Sequence, residues 1–110
     1  RYILQGKNIK ITSSIEDLVQ AKIGSLERFT ARFNQDAVEA RVEVGKPSKH
    51  HRSGFVFNAE INLKLPGQLL RAEASHLELN FAINEAFKEI ERQIKKYKDK
   101  KIENKRSSQK

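Results

Sequence analysis

The residues in this chain best placed to do chemistry are cations at helical spacing. Lys88, Arg92, Lys95 and Lys96 recur at steps of three and four, and Lys98, Lys100, Lys101, Lys105 and Arg106 carry the charge on toward the C-terminus. That periodicity puts cations on one side of an α-helix, along roughly 20 Å of axis from Lys88 to Lys101. Such a side attracts phosphates, an anionic membrane or an acidic partner. It is also what a solvated helix end looks like, because the macrodipole favours cations there.

Other cations fall into two smaller groups. Arg28 and Arg32 lie four apart beside an apolar helical row that also contains Lys22, where a charge must snorkel to an edge or meet a partner. Residues 45–54, GKPSKHHRSG, hold Lys46, Lys49 and Arg52 with no acid. This stretch reads as a long hairpin loop, either a basic finger for phosphates or a solvated loop. His50, His51 and His76 make a weak ligand set without Cys or acidic company, so no metal is expected. No Gly-rich phosphate loop, carboxylate pair or Ser/His/Asp spacing is present. Binding is therefore expected rather than catalysis, with no cofactor and no small-molecule substrate.

Charge is distributed unevenly. Residues 86–110 carry ten Lys/Arg and four Asp/Glu, a local charge of +6 out of the net +8. At 110 residues the chain is long enough to own a core as one domain. It has no Cys, which fits a reducing compartment. No apolar run reaches the roughly 20 residues of a membrane span. A cytoplasmic, monomeric protein is expected.

The elements that position these cations follow from hydrophobic periodicity. Tyr2 and Leu4 alternate in one phase, Ile9 and Ile11 in the other, with Gly6 between, which predicts a strand with a β-bulge. Ser13 and Glu16 have capping-box spacing ahead of a helix with apolar residues at Ile15, Leu18, Val19, Ile23, Leu26, Phe29 and Phe33. Two alternating runs, 38–44 and 55–65, predict strands with one wet face. Leu65, Pro66, Gly67 and Gln68 suit a type II turn. A further strand places Leu70, Ala72 and Ala74 inward. Ser75 and Glu78 repeat the capping-box spacing and launch a second helix over 77–101 with Leu79, Ile83, Ala86, Phe87, Ile90, Ile94 and Tyr97 inward.

The expected order is β-α-β-β-β-α. Strands with one apolar face require both helices on that face, giving an α/β two-layer sandwich with a four-stranded mixed sheet. Residues 1–101 form the domain, and 102–110 a basic tail expected to be disordered. Side-by-side helices would join the Arg28 and Arg32 edge to the basic side of the second helix.

The ordered set Gly6-Lys7-Asn8 with Ile9, Ile11 and Thr12, then Ala21-Lys22, Leu26-Glu27, Ala82-Ile83-Asn84 and Arg92-Gln93-Ile94-Lys95-Lys96-Tyr97-Lys98-Asp99-Lys100 resembles the ribosome hibernation promoting factor family, which includes the ribosome-associated translation inhibitors. The resemblance covers residues 2–101. It implies a fold like a double-stranded RNA-binding domain, and a non-enzymatic inhibitor that binds the small ribosomal subunit and its ribosomal RNA in the messenger and tRNA channel of the decoding region. Lys22 matches a family lysine on the first helix. Arg92, Lys95 or Lys96, Lys98 and Lys100 match its basic second helix; Lys88, Lys101, Arg28 and Arg32 extend the set. Ser25, Asn84 and the Asn80-Phe81 pair depart from the family pattern. A general double-stranded RNA-binding module is the alternative, and a small phosphate-ester enzyme lacks any visible constellation.

Overall fold

The structure, a computed structural model, describes the backbone over residues 2–46 and 56–108 and the side chains over 2–46 and 56–100. The element order is β1 (Tyr2–Lys7), α1 (Ser13–Thr30), a 3-10 turn (Gln35–Ala37), β2 (Glu39–Gly45), β3 (Phe57–Leu65), β4 (Gln68–His76) and α2 (Leu79–Ser108). The sheet order is β1-β2-β3-β4, with β1 and β2 parallel and the other pairs antiparallel. This is the expected two-layer sandwich. Period-two alternation turns Ala40, Val42 and Val44, then Ala59, Ile61, Leu63 and Leu65, then Leu70 and Ala72 onto one face. α2 lies along β3 and β4 and α1 sits beside it. Together they bury Val19, Ile23, Leu26, Ala82, Ile83, Ala86, Phe87, Ile90 and Ile94 on that face.

Four local details differ from the sequence reading. The β1–β2 register runs without interruption from Tyr2 opposite Ala40 to Lys7 opposite Gly45, so Gly6 holds no bulge. The phase changes after the strand instead, at Asn8, whose φ of 60° is the left-handed conformation that Asn tolerates better than most residues. Ile9 and Ile11 then fold onto the core from the connection. The cap of α1 is Thr12, whose side chain accepts the Ile15 N–H at 3.3 Å; Ser13 is already helical.

At the second helix, Ser75 does not cap anything. It is a β4 residue paired with Asn58, and its hydroxyl donates to Asn58 Oδ1 at 2.6 Å. The helix opens at Leu79, after the Glu78 N–H has been taken by His76 Nδ1 at 3.0 Å. Its backbone continues to Ser108, past the boundary drawn at 101, because 102–108 contain no Gly or Pro to stop it. The turn between β3 and β4 is as expected, with Gly67 at φ 76°.

Candidate nucleic-acid interface

α1 buries Val19, Ile23, Leu26 and Thr30, and the row beside them is Leu18, Lys22 and Phe29, all half-buried. Steps of four and seven residues keep those three on one flank of the helix. That flank faces α2. Lys95 Nζ stands 5.4 Å and Lys98 Nζ 5.9 Å from the Phe29 ring centroid, Lys98 is 6.0 Å from Phe33, and the Phe33 and Tyr97 rings are 5.9 Å apart. Lys22 therefore lies on the inter-helix row, which explains a cation in an apolar stripe: its stem packs and its head reaches the groove edge. Arg32 lies past the end of α1 at Thr30 and is exposed. Arg28 is about 200° around the helix from buried Leu26 and points away from the core.

The aromatic floor under these cations was not legible as such. Phe29 and Phe33 read as core residues, yet both are only half-buried and serve as the surface on which Lys95 and Lys98 rest. Exposed contacts of this kind contribute about 0.5–1 kcal/mol and fix where an ammonium sits. Tyr97 ties the same end together, its hydroxyl donating to the Pro66 carbonyl at 2.9 Å.

The structure divides the cations of α2 that share a helical spacing. Lys95 and Lys98 lean toward α1. Lys88 and Arg92 belong to the other flank, where a shallow cleft against β4 is lined by Arg71, Glu73, Glu85 and Glu89 beside them, a balanced set of charges. Arg92 donates to Glu89 from two nitrogens, at 2.8 and 3.1 Å. The bond from Arg92, then that from Gln93, holds the Glu89 carboxyl below the ordinary glutamate range, and the same ion pair raises Arg92. Arg92 is largely in water and Glu89 about a third exposed, so the pair is worth little to stability, but Arg92's charge is already partnered within the protein. Lys96 and Lys100 are exposed with no ion pair among the described residues. Lys46 is exposed, while Lys49, Arg52, His50, His51 and the Lys101 side chain lie outside the described residues.

The open face of the sheet is different in kind. Glu43, Glu60 and Glu73 stand opposite one another across β2, β3 and β4. Arg71 bonds Glu60 at 3.2 Å and also Glu73, and Arg41 lies 3.6 Å from Glu39. Hydrogen bonding to Glu73 and the field of Glu60 raise Arg71 above the usual arginine value. Acids thus compensate the cations of this face, whereas the row between the helices gathers Lys22, Lys95 and Lys98. Among the described residues no group of three or more His, Asp and Glu is arranged to hold a metal, and no helix is long and apolar enough to cross a membrane.

Residues 2–102 match the family described as Sigma 54 modulation protein / S30EA ribosomal protein. The chain belongs to this family. It is 31% identical over 98 residues to a ribosome hibernation promotion factor of Deinococcus radiodurans, covering 88% of this chain and 48% of that protein. It is 32% identical over 97 residues to a ribosome hibernation promoting factor of Klebsiella oxytoca, covering 88% of this chain and 92% of that one. The chain thus spans about half the length of the Deinococcus relative. Among solved structures, the Protein Y N-terminal domain of Thermus thermophilus matches with a TM-score of 0.70 and 32% identity, over 86% of this chain and 93% of that domain. The S30EA family's fold is thereby the one derived above from periodicity and register.

Proposed function

We propose that this chain binds the small ribosomal subunit through the helix layer and holds the ribosome idle by occupying the messenger and tRNA channel of the decoding region. The observation that carries this reading is the charge asymmetry of a two-faced molecule. Lys22, Lys95 and Lys98 line the inter-helix groove and Arg28, Arg32, Lys88, Arg92, Lys96 and Lys100 are further exposed cations of the helices and the turn after α1, while the sheet face compensates its cations with glutamates; Lys101 follows in the sequence. Lysine and arginine on a rigid helical layer bind phosphate by charge and release counterions as they do so. Family membership and relatives named as ribosome hibernation factors support the ribosome as the source of that phosphate. The protein works in the cytoplasm as a monomer, by occupancy and without turnover.

Sedimentation with isolated small subunits in the presence of excess duplex RNA tests this. Retention on the subunit despite the duplex is the expected result. Displacement by low concentrations of duplex would instead make the chain a general double-stranded RNA-binding module. In a translation extract, substoichiometric protein should silence only the matching fraction of ribosomes.

A further inference from the structure

We propose that the end of the sheet where β3 begins and β4 finishes is a stacking site for unpaired bases of single-stranded RNA, formed by Phe57, His76 and Phe81 with Lys46 at its margin. Phe57 is the register partner of His76, so the two side chains leave the same face side by side. The His76 ring lies 4.8 Å from the Phe81 ring, tilted by 32°. Lys46 Nζ stands 5.4 Å from the Phe57 centroid. Three rings and a cation thus follow one another across one end of the molecule.

These rings are not core. Phe81 is 50% exposed where Phe87, six residues on, is 2% exposed, and Leu77 beside it is 68% exposed. His76 is also exposed, yet it is held: its Nδ1 accepts the Glu78 N–H, which leaves Nε2 to carry the ring proton. A fixed ring that offers a π-face and one outward N–H suits a base, which can stack on the face and accept from the edge. Charge favours the same occupant. Lys46, with its Nζ over the Phe57 ring, supplies a cation for the phosphate that accompanies a stacked base. Exposed aromatic faces beside cations are how proteins hold single strands without reading sequence.

The site lies away from the inter-helix groove. Tyr97 and Pro66 mark the groove's end of β3, and Phe57 lies at the other end of that nine-residue strand, about 30 Å off. It therefore rests on the proposed RNA binding only in sharing the class of ligand.

The test uses the full 110-residue chain and a short single-stranded RNA containing 2-aminopurine. Binding should quench the fluorophore. Phe81→Leu, which keeps apolar bulk but no ring, should bind about tenfold more weakly and lose the quench, while Phe81→Tyr keeps both. Small-subunit binding through the groove is read in parallel. A Lys95→Gln, Lys98→Gln variant should lose subunit affinity and retain the quench. Absence of quenching by the wild-type chain overturns the proposal, and so does a Phe81→Leu variant that quenches normally. Wild-type chain that binds subunits without quenching sinks this site alone; wild-type chain that quenches but does not bind subunits, or a Lys95→Gln, Lys98→Gln variant that binds them undiminished, sinks the groove reading alone. His76→Ala, at an exposed strand end outside the core, must repeat the loss and serves if Phe81→Leu melts without cooperativity.

Discussion

Consider replacing Lys95 and Lys98 together by glutamine, beside a second variant carrying only Arg92→Gln. By sequence spacing the three cations are equivalent members of one basic helix. In the structure Lys95 and Lys98 stand over Phe29 at the groove, while Arg92 is already hydrogen-bonded to Glu89 through two nitrogens. Each phosphate contact contributes about −0.9 to the slope of log affinity against log salt on duplex nucleic acid, so the groove set Lys22, Lys95 and Lys98 accounts for about −2.7. The double variant should flatten the slope by about 1.8, and Arg92→Gln by less than about 0.5. Between about 50 and 200 mM salt each contact corresponds to about a 3.5-fold fall in affinity, so the double variant should be about 12-fold less salt-sensitive over that range. Both contacts to Phe29 together hold no more than about 1–2 kcal/mol of stability, and a cooperative melt should persist. The assay is sedimentation with small subunits across a salt series, beside a circular dichroism melt. Equal effects of the two variants on the slope, or an unchanged slope in the double variant, would refute the division of the cations between groove and flank.

Lys22→Leu should preserve or raise the melting temperature while weakening subunit binding, because it removes a half-buried charge and keeps the hydrocarbon bulk on the row shared with Phe29; unfolding of the variant would mark Lys22 as structural. Gly45→Ala should cost about 2–3 kcal/mol, read as a lowered thermal midpoint, since a Cβ there would overlap the Lys7 carbonyl oxygen, which accepts the Lys46 N–H at the end of the β1–β2 ladder. Glu89→Gln should flatten stability against pH on the acid side only. The Glu89 carboxyl is depressed in the fold, so its contribution is present above the unfolded glutamate value and is lost as pH falls through the lower folded value; urea midpoints at a series of acid pH values read the difference.

The order β-α-β-β-β-α, the single apolar sheet face and the placement of both helices upon it were legible in the sequence, because periods of 2 and 3.6 are local consequences of backbone geometry. The Pro66-Gly67 turn was legible for the same reason, since only two residues and their permitted φ values set it. Ser75 misled because its capping-box spacing is real, but pairing of β4 with β3 out to His76 opposite Phe57 holds the residue in the sheet. Gly6 misled because the change of phase could be assigned to a bulge until the unbroken ladder to Gly45 moved it to Asn8. The division of α2's cations was decided only in three dimensions. The Arg92–Glu89 pair, three residues apart on α2, is local, but whether Lys95 and Lys98 meet Phe29 of α1 and whether Arg92 borders β4 depends on which elements pack on either side, and that is a property of the whole core.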